Sequence, residues 1–87
     1  MPFQRTPGVT FEKSGDRVVI LDVEGAVMTT VNPVGSLIWQ ALDGERDTEE
    51  LARHLSETFP DVEETVLISD TEEFLTSMLQ AGLVTED

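Results

Sequence analysis

Residues 31 to 55 read VNPVGSLIWQALDGERDTEELARHL, and they fix where a strand must end and two helices must start. A β-like run stops at Val31. Asn32 is a good N-cap, and Pro33 suits the first helical position, where an N–H has no partner anyway. Val34, Leu37, Ile38, Ala41 and Leu42 then recur at helical spacing, with Trp39 beside them. Asp43-Gly44 ends this helix. Asp47 or Thr48 starts the next, and Asp47 with Glu50 has capping-box spacing. Leu51, Ala52, Leu55 and Phe59 form its apolar stripe, and Pro60 breaks it.

The segments on either side complete the pattern. Val9–Lys13 is a short alternating strand, followed by the turn Ser14–Asp16. Arg17–Val23, RVVILDV, is β-branched and apolar on both faces, as a central strand is. Glu24-Gly25 turns the chain again, and Ala26–Val31 forms a third strand on an edge. A third helix is predicted from about Val62 to Ala81, stopped by Gly82, with Val66, Leu67, Phe74, Leu75, Met78 and Leu79 as its apolar set. The order is that of an α+β domain: a three-stranded antiparallel meander, then three helices resembling a winged helix. Residues 1–8, with two prolines and a glycine, are expected to be a loose arm, and residues 9–87 a single domain. Leu37, Ile38, Trp39, Leu51, Leu55, Leu75 and Leu79 are expected in the core.

Composition narrows the chemistry. Five Lys and Arg stand against eighteen Asp and Glu, a net charge of −13. Nucleic-acid binding needs cations to displace counterions from phosphates, so neither a nucleic acid nor an anionic membrane is an expected partner. A partner carrying Lys or Arg is favoured instead. There is no cysteine, so thiolate metal sites and cysteine nucleophiles are excluded. His54 is the single histidine and falls on the polar side of the second helix. Asp61, Glu63 and Glu64 lack the spacing of a metal loop. Ser36 has no basic partner nearby. Its stretch, VGSLIW, has Gly35 where a carrier-protein prosthetic-group serine would be preceded by Asp. No catalytic residue, cofactor or metal site is expected. No segment reaches the ~20 apolar residues of a membrane span, and the expected location is cytoplasmic.

An edge strand without charge or proline is open to pairing with a further chain. Ala26–Val31 is such a strand. A simpler reading keeps Val27 and Met28 in the core, with the N-terminal arm covering the edge. An exposed edge also permits a weak dimer of the protein with itself.

The ordered set Val31-Asn32, Gly35, Ile38-Trp39, Asp43-Gly44, Thr48 through Leu55 and the closing Met78-Leu79-Gln80-Ala81-Gly82-Leu83 resembles the PqqD family, the peptide recognition elements of ribosomally made natural products. Val31 stands where the family has Leu, and Thr29 and Thr30 where it often has an aromatic. The resemblance implies a non-catalytic adaptor. It would bind the leader segment of a precursor peptide as an added strand and present it to processing enzymes, such as a lasso-peptide leader peptidase. The alternative setting is pyrroloquinoline quinone biosynthesis; from another class, the fold permits a nucleic-acid-binding winged helix. The leader contacts implied are Val27, Met28, Thr29, Thr30 and Val31 on the strand. On the third helix they are Leu67, Asp70, Thr71, Phe74 and Met78, with Asp70 able to receive a lysine or an N–H.

Overall fold

The computed structural model describes residues 2–86. Among them are five strands and three helices: β1 (Phe3–Arg5), β2 (Thr10–Ser14), β3 (Arg17–Leu21), β4 (Met28–Val31), α1 (Pro33–Ala41), α2 (Thr48–Thr58), α3 (Glu64–Gln80) and β5 (Val84–Glu86). The α+β order and the antiparallel meander β2-β3-β4 agree with the sequence reading. In the meander, Val18 faces Val31 and Leu21 faces Met28.

The strands joined by the second turn are shorter than expected. Strand pairing stops at Leu21 and resumes at Met28. The cause is Asp22, whose Oδ1 accepts the N–H of Ala26 at 2.8 Å and of Val27 at 3.4 Å. A short acidic side chain that binds nearby main chain favours a turn over a ladder.

The first two helices begin where the chain offers caps. Asn32 accepts the N–H of Gly35 at 2.7 Å, with Pro33 in the first turn. Asp47 and Glu50 form the reciprocal capping box of α2. At the end of α3, Gly82 adopts a positive φ of 75°. The N–H of Leu83 then reaches back to the Met78 carbonyl at 2.9 Å, and that of Gly82 to the Leu79 carbonyl at 3.1 Å. These two bonds are a Schellman ending, which turns the chain into β5.

Residues 3–5 depart from the expected loose arm. They pair antiparallel with Val84–Glu86, Phe3 opposite Glu86. Phe3 is buried in the core, and its main chain bonds Arg46 and Gly44. Arg5 donates to the Trp39 carbonyl at 2.8 Å and to the Gln40 carbonyl at 3.3 Å. Its guanidinium also lies 4.5 Å from the Phe11 ring centre. Burial holds its pKa below the usual arginine value. The last turn of α1 carries no basic residue of its own, so Arg5 supplies the positive charge that the carbonyl end of a helix favours.

The core lies between the meander and the helices. Trp39, Ile20, Ile38, Leu51, Leu55, Leu75 and Val18 are its fully buried large residues. Leu37 is half-buried against it. Leu79, expected in the core, is 37% exposed. The inward stripe of α3 is Leu67, Thr71, Leu75 and Met78, and Leu79 lies about 100° round the helix from Met78.

Candidate peptide-binding edge and groove

The strand order places β4 on the outside of its sheet. Among the described residues nothing pairs along its outer edge. Val27 and Met28 are 58% and 70% exposed, which corrects the reading that placed them in the core beneath the N-terminal arm. That arm pairs with β5 instead.

The ladder determines which main-chain groups of β4 are free. The Asp22 N–H bonds the Val27 carbonyl at 3.2 Å. Antiparallel pairs alternate between bonded and non-bonded, so Thr29 with Ile20 and Val31 with Val18 are the next inward-facing pairs. The outward-facing N–H and C=O groups are therefore those of Met28 and Thr30. Side chains alternate too: Thr29 and Val31 lie toward the core, Met28 and Thr30 away from it.

A groove of about 390 Å³ opens where β4 gives way to α1. Asn32, Val34, Gly35 and Ile38 form one wall, and Asp70, Glu73, Phe74 and Ser77 of α3 the other. Asp70, Glu73, Phe74 and Ser77 are spaced i, i+3, i+4, i+7 and share one face of α3. Gly35 permits the close approach of the walls. A Cβ placed there would lie 2.6 Å from Val31 Cγ1 and 2.9 Å from the Phe74 ring.

The expected contacts separate into two groups. Val27, Met28, Thr29, Thr30 and Val31 lie along the open edge, Val31 itself buried, and Asp70 and Phe74 line the groove. Leu67, Thr71 and Met78 belong to the buried stripe one face over, with the Thr71 hydroxyl donating to the Leu67 carbonyl at 2.7 Å. Glu73 and Ser77, not singled out in the sequence, take the wall positions. Their spacing from Phe74 and Asp70 is the signal that identifies them.

The groove elements are one-sided in charge. β4, α1 and α3 contain no Lys or Arg, and α3 carries Glu64, Asp70, Glu72 and Glu73. His54 lies apart, in a shallow cleft with Glu50, Arg53 and Glu57 of α2 and Arg46 just before it. Among the described residues no three His, Cys, Asp or Glu side chains are grouped to hold a metal. No helix is long and apolar enough to cross a membrane.

An open outer strand beside a groove, on a meander backed by three helices, defines a small winged-helix-like α+β domain with a free sheet edge. The chain belongs to the PqqD family: the family model described as coenzyme PQQ synthesis protein D matches residues 17–84. Two solved structures share its fold at a TM-score of 0.83 and 22% identity. One, TbiB1 in complex with the TbiA(beta) leader peptide, aligns over 97% of this chain and 99% of that one. The other, lasso peptide synthetase B1 complexed with the leader peptide, aligns over 99% and 100%. No curated protein matches the chain.

Proposed function

We propose that this protein is a non-catalytic adaptor that binds the leader segment of a ribosomally made precursor peptide and presents it to processing enzymes. The open edge of β4 carries the proposal. Met28 and Thr30 direct their main-chain groups outward beside a groove, an arrangement that accepts an extended peptide as a fourth strand of the meander. The family, and the leader peptides named in both structural relatives, support the same reading. Each added main-chain bond contributes about 0.5–1.5 kcal/mol net. Two outward residues therefore give only modest affinity, and the groove provides the rest. The proposed contacts are Val27 to Val31 on the strand and Asp70, Glu73, Phe74 and Ser77 on α3.

The partner enzyme in this proposal is a lasso-peptide leader peptidase, and the setting is cytoplasmic. The description of the family model favours a second setting, coenzyme PQQ synthesis, in which the same edge holds a different precursor. The free protein is a monomer or a weak dimer through β4.

Nuclear magnetic resonance titration of labelled protein with synthetic leaders of both kinds tests the reading. Shifts concentrated on Val27–Val31 and Asp70–Ser77 are expected with one of them. Folded protein that shifts with no leader overturns it.

A further inference from the structure

The groove also restricts which side chain the bound strand brings to it. This inference rests on the strand-addition reading above and specifies its chemistry. A strand laid on β4 sends alternate side chains to the core side of the sheet, the side of Thr29 and Val31. Continued past Val31, it reaches Asn32 and the groove mouth. Part of the groove wall there is apolar, from Val34 and the half-buried Phe74 ring with Ile38 buried behind them, and Gly35 adds no side chain to fill it. Asp70 and Glu73 stand beside that apolar surface.

A short apolar residue would leave these two carboxylates facing solvent and gain nothing from them. An acidic residue would be repelled. Lys and Arg have an apolar stem and a cationic head, which match the apolar wall and the acidic side respectively. The same cation gains from the face of an aromatic ring. The surroundings reinforce the match, because the three elements that bound the site have no cation to compete.

We infer that this groove is a subsite for one lysine or arginine of the bound peptide, its stem against Phe74 and Val34 and its charge between Asp70 and Glu73. The carboxylates then set the register of the peptide as well as its affinity. They admit a cation at one position and oppose an anion there.

Random twelve-residue peptides displayed on phage test the inference. They are selected in parallel on the unaltered protein, on Asp70→Asn/Glu73→Gln, and on Glu12→Gln/Glu57→Gln. The last removes the same charge from exposed positions outside the groove. All three proteins are first shown to be folded by their amide spectra. The unaltered protein and the Glu12/Glu57 variant are expected to enrich peptides with Lys or Arg at one fixed offset, and the Asp70/Glu73 variant to lose that preference. Replacing the selected cation by norleucine is expected to weaken binding to the unaltered protein roughly 5- to 30-fold. The same replacement is expected to change binding to the Asp70/Glu73 variant by no more than about twofold. A basic preference that survives in the Asp70/Glu73 variant, or falls equally in both variants, overturns the subsite in favour of general attraction to an acidic protein. Enrichment with no fixed basic position overturns the subsite and leaves strand addition standing. Folded protein that enriches no peptide overturns both.

Discussion

The Ser36 hydroxyl stands between Val18 and Val31, accepting the N–H of Val18 at 2.8 Å and donating to the carbonyl of Val31 at 3.1 Å. It occupies the place of the ladder bond that would join those two residues, and it is fully buried. One side chain thereby fastens α1 to the ends of β3 and β4.

Ser36→Ala removes that bridge and leaves a buried N–H and a buried carbonyl without it. The expected cost is about 1–3 kcal/mol. For a domain of this size each kcal/mol is worth about 4–8 °C of melting temperature. Thermal unfolding followed by circular dichroism measures the change; a melting temperature within about 2 °C of the unaltered protein would contradict the bridge.

Gly35→Ala sets two effects against each other. Replacing a helical glycine gains about 0.5–1 kcal/mol of backbone entropy. Against it, the new methyl meets Val31 Cγ1 at 2.6 Å and the Phe74 ring at 2.9 Å. Val31 is buried and β-branched, so it has little room to turn. Overpacking of this kind costs about 1–3 kcal/mol and wins. Urea unfolding should show a net loss, and peptide affinity should fall further as Phe74 is displaced into the groove.

Two neighbouring prolines separate the outer edge of β4 from its inner one. Thr30 directs its N–H outward, so Thr30→Pro should leave the ladder to β3 intact and weaken peptide binding by at least tenfold, about 1.4 kcal/mol. Thr29 faces Ile20 from the inward side. Thr29→Pro should instead destabilise the fold itself, since proline in a paired strand removes a ladder bond. Unfolding and binding measured on both variants should give opposite patterns; matching patterns would mean that the edge is assigned the wrong way round.

Removal of residues 2–5 should destabilise the protein. It takes away Phe3 from the core, the pairing with Val84–Glu86, and the Arg5 bonds to the end of α1. Burying a phenylalanine alone is worth about 1.5–3 kcal/mol. Arg5→Ala isolates the cap and should cost about 1–2 kcal/mol of this. Differential scanning calorimetry of the two proteins measures both steps, and a truncated chain with an unchanged melting temperature would restore the loose arm.

The legible parts of this fold are those that local chemistry determines. Asn32-Pro33, the Asp47–Glu50 box and Gly82 mark their helix ends in the sequence because each cap acts within a few residues. The edge position of β4 follows from three strands joined by two tight turns. The short sheet of β1 and β5 was not legible. Each strand has three residues, too few for a periodic pattern, and they meet only after everything between them has folded. On α3 the helix was legible but its rotation was not. Leu67, Thr71 and Met78 look as available as Phe74 until α2 and α1 are in place, and then a turn of about 100° per residue separates wall from core. Phe74 was identified because an aromatic is apolar enough for either role. Glu73 and Ser77 lie outside the expected face because Leu67, Asp70, Thr71, Phe74 and Met78 share a face turned toward the buried stripe, which overlaps the groove wall only at Asp70 and Phe74.

The pairing of Phe3 with Glu86 brings the two outer ends of the folded chain to the same end of one small sheet. Tension applied at those ends would peel β1 from β5 one bond at a time, as a zipper opens, without loading the ladder in shear. The weak point under force is thus this short ladder, and the meander that carries β4 belongs to a separate sheet. A domain attached at either end would pull first on the Phe3–Glu86 pair, leaving the peptide-docking edge outside the line of load.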